Sequence, residues 1–188
     1  MTYWDKNATK YARLGRSDFW FKHRLRLIEG LSGSTLEACC GGGDLVLAML
    51  DEGLDAYGFD LSGAMVELAA AALAGSGHDP RRISRADVTC IPHPDGAFDV
   101  VLCTGALGLF DQTMQRRALD ELTRVAYHEV RLLEPYEKRP GLYPARVLGA
   151  MFAGQKPIRP AQFEGLGVRF SVEWDAVAGV FSYIRLVK

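Results

Sequence analysis

The sequence predicts a doubly wound α/β domain whose sheet is mostly parallel and ends in an antiparallel edge pair. Three observations carry this expectation. Five short apolar runs have strand length: 34–39, 55–60, 83–87, 98–104 and 130–134. Longer segments of helical period separate them, as in a parallel sheet flanked by helices. The last two alternating runs, 168–175 and 180–188, are joined by only a few residues, too few for a parallel crossover, so they must pair antiparallel.

In chain order, Phe21, Leu25 and Ile28 recur at helical spacing while Lys22, Arg26 and Glu29 take another face, which predicts an amphipathic helix docked on the sheet. After the first strand, "DLVLAMLDEG" (44–53) reads as a helix, and after the second so does "SGAMVELAAAALAG" (62–75). "QTMQRRALDELTRV" (112–125) is a third. Ser62 and Asp111 carry side-chain oxygens suited to N-caps, and Gly53 and Gly75 stand where helices stop. No repeat, linker or low-complexity tract divides the 188 residues. One domain is expected, with a helical cap over 1–33, a core over 34–135, and a C-terminal half over 136–188 that carries the edge pair.

Composition excludes several classes. Lysine and arginine number 22 against 23 acids, a net charge of −1 that lacks the basic surplus of a nucleic-acid binder. No apolar run has the roughly 18 to 20 residues that span a bilayer, and "MTYWDKNATK" lacks the apolar core of a signal peptide, so a cytoplasmic address is expected. Cys39, Cys40, Cys90 and Cys103 lack CxxC spacing and predict reduced thiols; no metal site is expected. Charge is nonetheless concentrated locally. Residues 1–26 hold Lys6, Lys10, Arg13, Arg16, Lys22, Arg24 and Arg26 against Asp5 and Asp18, with "DFWF" among them. Aromatic and basic residues so interleaved suit a membrane interface or an acidic substrate as well as a docked helix, which leaves room for peripheral membrane contact.

The stretch "TLEACCGGGD" (35–44) turns from strand to helix through glycines. Such a bend lets backbone N–H groups at a helix N-terminus approach an anionic or electron-rich ligand. It is not a dinucleotide loop, because the GxGxxG register from Gly41 meets Val46 at the third glycine, and this makes a nicotinamide oxidoreductase a distant reading. Nor is it a P-loop, since no lysine occurs from 23 to 137. What accompanies it is acid at three successive strand ends: Glu37, Asp60 and Asp87. In an open α/β sheet ligands bind beyond those ends, where Asp60 can accept two ribose hydroxyls and Asp87 an exocyclic adenine amine.

These motifs resemble those of the class I S-adenosylmethionine-dependent methyltransferases, Rossmann-like proteins, and most closely the ubiquinone/menaquinone-biosynthesis branch. "LEACCGGGD" is similar to the first motif, "GFDLSGAMVELA" to the second, and "ADVTCIPHPDGAFDVVLCTGALGLF" to the third and fourth, with His93 where an aromatic is usual. "ALDELTRV" and "LLEP" are similar to the helix before strand five and to that strand's end. The resemblance covers about residues 34–135, which it makes the cofactor-binding core, and it gives the C-terminal half, 136–188, the substrate side. It implies S-adenosyl-L-methionine as cofactor and methyl transfer to a small-molecule or lipid-like acceptor, the alternative being a catalytically silent cofactor-binding partner of the same fold. It places Glu37 near the methionine amino group, and Cys39, Gly41 and Gly43 against the methionyl and ribose parts. Asp60 would hold the ribose hydroxyls, with Leu61, Met65, Asp87 and Val88 around adenine and Cys103 and Gly105 beneath the methionyl group. Core packing is an equal reading of Leu61, Met65 and Val88. "YWDKNATKYARL" resembles, more weakly, the tyrosine-containing segment that folds over the cofactor, which makes Tyr11 a candidate for lining the methyl-transfer site or for stapling the core. No catalytic residue follows, because a sulfonium leaves without protonation and a base is needed only when the acceptor must lose a proton. His23, His78 and His93 have no assigned role, and His128 reads as a surface residue. The chain departs from the family after "RV": no Pro or Gly lies between Arg124 and Glu134, so that connection must be built differently. The short segment after Pro135 leaves the acceptor side open, or to be completed by a partner chain such as a second copy.

Overall fold

The computed structural model describes residues 3–137, 155–177 and 181–188. Seven strands form one sheet: β1 (Ser34–Ala38), β2 (Asp55–Asp60), β3 (Ile83–Arg85), β4 (Phe98–Thr104), β5 (Ala126–Pro135), β6 (Arg169–Val177) and β7 (Phe181–Val187). Their order across the sheet is β3-β2-β1-β4-β5-β7-β6. The first five run parallel, while β7 pairs antiparallel with both β5 and β6, so β6 alone is the edge of the terminal pair. The strand order reverses between β1 and β4, which opens a crevice at their carboxyl ends.

Alternation along the strands feeds two apolar layers. Val101 and Cys103 belong to the layer covered by α5 (Gln112–Val125), with Ala118, Leu119 and Leu122. Val100 and Leu102 belong to the opposite layer, with Leu45, Val46 and Met49 of α3 (Asp44–Asp51) and Ala69 and Leu73 of α4 (Gly63–Gly75). Two N-terminal helices, α1 (Tyr3–Gly15) and α2 (Asp18–Leu25), complete that side. Trp20, Leu25 and Ile28 pack on the second layer, as a docked amphipathic helix requires, and Phe21 is half-buried.

Local signals act largely as expected. The Ser62 hydroxyl accepts the Met65 N–H at 3.3 Å and the Asp111 carboxylate accepts the Met114 N–H at 2.9 Å, so both are N-caps. Gly75 is the last residue of α4, the expected stop, and the left-handed turn beyond it belongs to Gly77 at φ 84°. Two strand boundaries differ for identifiable reasons. The third strand stops at Arg85 rather than at 87, because the Asp87 carboxylate turns back to accept the backbone N–H and hydroxyl of Thr89, both at 2.8 Å. The fifth strand starts at Ala126 rather than at 130, since α5 passes into β5 with no loop. Ala126 takes extended backbone at once (φ −74°, ψ 136°), and a register shift between Phe98 and Val100 absorbs the abrupt junction. His128 thus lies on a strand, 65% exposed. Most of the expected substrate side of the C-terminal half, 138–154, lies outside the described residues.

Candidate active site

A pocket of about 370 Å³ opens at the carboxyl ends of β1, β2 and β4, where the strand order reverses. Its floor is the strand-to-helix bend. Cys39 sits there with φ 56°, the one non-glycine left-handed residue among those described. Gly43 (φ 76°) is the N-cap of α3, and a Cβ at that position would come within 2.8 Å of the Ala69 Cβ, so only glycine lets α3 and α4 close together. The Gly41 N–H donates to Asp60 Oδ2 at 3.0 Å, and the Ser62 N–H to Asp60 Oδ1 at 2.9 Å. Burial raises the Asp60 carboxyl above its usual range even though these backbone donors pull it down.

Of the residues expected at a site, Tyr11, Cys39, Gly41, Asp60, Leu61, Met65 and Gly105 are brought together in the pocket wall. Glu37, Gly43, Asp87, Val88 and Cys103 do not reach it. Glu37 lies beneath the bend, fully buried, and accepts from Arg24 Nη2 at 2.7 Å. Burial raises its carboxyl despite the neighbouring guanidinium. Val88 is in the α5-side core, and Asp87 is exposed in its own turn. Cys103 is fully buried; hydrogen bonding with Cys39 and burial push its thiol well above the ordinary value, and it donates to Glu134 Oε1 at 3.8 Å.

The N-terminal helices form the other wall. Trp4 and Tyr11 meet edge to face with centroids 5.0 Å apart, and Tyr3 Oη lies 3.2 Å from Tyr11 Oη. Asp5 Oδ1 accepts from the Ser62 hydroxyl at 2.6 Å and fastens α1 to the start of α4. Trp20 of α2 rests on Gly105, where a Cβ would lie 3.1 Å from its Cζ2. On the β4 side, the loop carrying Ala106, Leu109 and Phe110 is anchored by a buried carboxylate. Glu134 Oε1 accepts the N–H groups of Ala106 and Leu107 at 2.8 and 3.1 Å, and Oε2 accepts that of Gly108 at 3.2 Å. Burial outweighs these donors and raises the Glu134 carboxyl to about 7.

The histidines are engaged elsewhere. His23 Nδ1 lies 3.2 Å from Tyr183 Oη, His78 Nε2 lies 2.8 Å from Asp51 Oδ1, and the His93 ring meets Phe98 edge-on at 5.0 Å. The last contact explains why histidine serves where the resemblance has an aromatic: it packs as one.

Residues 35–128, half of the chain, match the protein family described as a methyltransferase domain. The chain belongs to that family. No curated protein matches it in sequence. Among solved structures, the methyltransferase domain is similar to magnesium protoporphyrin IX methyltransferase from Synechocystis PCC 6803 with bound SAH: TM-score 0.76, 18% identity, covering 99% of this chain and 96% of that one. It is similar to the YcgJ protein of Bacillus subtilis (TM-score 0.71, 16% identity, 89% and 98% covered). It also matches the [4+2]-cyclase SpnF (TM-score 0.69, 16% identity, 93% and 83% covered). The chain therefore has the class I S-adenosylmethionine-dependent methyltransferase fold.

Two elements of this methyltransferase domain escaped sequence reasoning. Arg24 read as one cation of a basic surplus; it is 5% exposed, lines the pocket and pairs with Glu37. The signal available was its position, one residue before Leu25 on the apolar side of the helix. Glu134 read only as the end of a motif, and nothing in its neighbours announces that it holds a loop 26 to 28 residues upstream.

Proposed function

We propose that the protein is an S-adenosylmethionine-dependent methyltransferase that passes a methyl group to a small-molecule or lipid-like acceptor by in-line displacement. The observation that carries this reading is Asp60, a half-buried carboxylate in the pocket wall at the strand-order reversal, with the glycine bend's Gly41 N–H held against it. The residues present fit the cofactor. Arg24 lines the pocket and keeps a buried Nε without a hydrogen-bond partner, and a guanidinium left partly unsatisfied there suits the carboxylate of an amino-acid end. Asp60 would hold ribose hydroxyls, Leu61 and Met65 would flank the adenine, and Cys39, Gly41 and Gly105 would bound the methionyl part. Glu37 would act from beneath the floor through Arg24.

When bound, the sulfonium supplies a methyl group already activated by its positive charge. The chain's own contribution is positioning and water exclusion. Trp20, Leu109 and Phe110 give apolar walls on the acceptor side, and the amides held by Glu134 fix the loop that bears two of them. The second reading, a catalytically silent cofactor-binding protein, draws on the Trp20–Gly105 contact, which narrows that side.

Calorimetric titration with S-adenosylmethionine and S-adenosylhomocysteine tests the shared claim. Both should bind, and Asp60→Ala should weaken them by about 30-fold or more through loss of charge-assisted hydrogen bonds, roughly 2 kcal/mol. Absence of binding would overturn the reading. Turnover against quinols, amines, phenols and lipids separates enzyme from silent partner.

A further inference from the structure

Seven cations occupy the first 26 residues, and three of them are spent internally. Arg16 pairs with Asp44 at 2.5 Å, Arg24 with Glu37 at 2.7 Å and Arg26 with Glu173 at 2.9 Å. Lys6, Lys10, Arg13 and Lys22 are different: all four are exposed, and none has an ion-pair partner among the described residues. Lys6, Lys10 and Arg13 follow at i, i+4 and i+7, so they share one stripe of α1, opposite buried Ala8.

Apolar side chains that line the pocket are exposed as well. Tyr3, Phe19, Leu61 and Leu109 are 60, 48, 45 and 43% exposed, come from four separate segments, and all line the pocket at the strand-order reversal. Cations meet aromatic rings at two points, the exposed Phe19 and the half-buried Tyr11. Lys10 Nζ lies 5.9 Å from the centroid of the Tyr11 ring, and Lys22 Nζ lies 5.6 Å from that of Phe19. Carboxylates that would cancel the charge are mostly withdrawn: Asp5 is turned inward to Ser62 and Asp44 is held by Arg16, leaving Asp18 as the exposed acid of the two helices.

A soluble acceptor needs a pocket, not an apolar collar outside it, and a collar of this kind exposed to water is unfavourable unless something covers it. Exposed lysines set among exposed apolar side chains match the headgroup region of a bilayer, where rings lie at the interface and ammonium groups reach anionic phosphates. We propose that the α1–α2 face around the pocket mouth docks on an anionic lipid surface, so that the acceptor enters from the membrane interface.

The proposal rests on the methyltransferase reading only for the word acceptor, and its test uses neither cofactor nor turnover. The full chain is sedimented with vesicles of phosphatidylcholine alone and of phosphatidylcholine mixed with phosphatidylglycerol. It should sediment with the mixed vesicles, release at high salt, and stay in solution with the neutral ones. Each cation removed should lower partitioning about fivefold, so the double variant K10E/K22E, altered at two exposed sites, should lose at least about 25-fold. Phe19→Ser should weaken binding while preserving its salt dependence. Failure to bind mixed vesicles at low salt, equal binding to neutral vesicles, or an unchanged K10E/K22E whose circular dichroism is native would each overturn the proposal. The first outcome would point to an acidic protein as the occupant. Because S-adenosylhomocysteine titration is independent of vesicles, a failed vesicle experiment leaves the methyltransferase reading standing, and the reverse holds too.

Discussion

Arg24 and Glu37 meet at 2.7 Å beneath the glycine bend, and each keeps one buried polar atom, Nε and Oε2, without a partner. Charges so placed cost several kcal/mol each to desolvate, and their attraction offsets that cost only while both are present. Arg24→Met should therefore destabilise the fold by about 3–5 kcal/mol, because it strands a buried carboxylate. Glu37→Gln should cost less, since an amide can still accept from the guanidinium. The double variant R24M/E37M should recover most of the loss. Denaturant unfolding midpoints of the three variants check this. A double variant no more stable than Arg24→Met alone would show that the pair is not coupled.

Cys39 occupies the left-handed region at φ 56°, where a β-carbon crowds the backbone. Glycine relieves that crowding but frees the unfolded chain and loses the contact with Cys103, so Cys39→Gly should leave stability within about 1 kcal/mol of the parent. Cys39→Val adds a β-branch at the same dihedral and should cost about 2 kcal/mol or more. Thermal unfolding of both decides the matter. A valine variant as stable as the glycine one would mean that the bend relaxes when the side chain changes.

The contrast between the two halves of the site has a physical cause. Asp60, Gly41 and Ser62 were legible because a strand, a bend and a helix cap each demand particular residues within a few positions of one another. The antiparallel terminal pair followed in the same way, since a connection of a few residues leaves no room for a parallel crossover. Arg24, Trp20 and Glu134 act over distances set by the assembled sheet, and no local periodicity encodes such contacts. The α5–β5 junction failed for a related reason. Without Pro or Gly to mark a turn, 126–129 read as a loop, whereas pairing of Ala126 with Phe98 draws the chain into the sheet at once.

Ser62 joins two functions in one hydroxyl: it caps α4 by accepting from Met65 N–H at 3.3 Å and donates to Asp5 at 2.6 Å. Ser62→Ala should cost about 1–2 kcal/mol through the lost cap and the carboxylate left without its donor. The loss should be uneven. Since α1 is held to α4 by this contact, amide exchange in α1 should accelerate more than in α3 or β4. Uniform acceleration across the domain would place the role of Ser62 in the helix cap alone.

Glu134 predicts a pH dependence with a definite sign. Its carboxyl is raised from an ordinary 4.5 to about 7, so between those values the folded chain holds a proton that the unfolded chain has lost. Stability from this group is therefore fully present below about pH 4.5 and is lost as pH rises through 7, by a ceiling of about 3 kcal/mol. Asp60 and Glu37 are raised as well and add slopes of the same sign, so the difference from a variant is the informative quantity. Glu134→Gln keeps one acceptor for the Ala106 and Leu107 N–H groups but turns an amide donor toward that of Gly108. It should be less stable than the protonated parent at pH 5 by about 1–3 kcal/mol, and that deficit should shrink as pH rises to 8 and the parent carboxylate ionises. Unfolding midpoints of parent and variant across that range test it. Parallel curves would mean that Glu134 does not change its protonation between the two states.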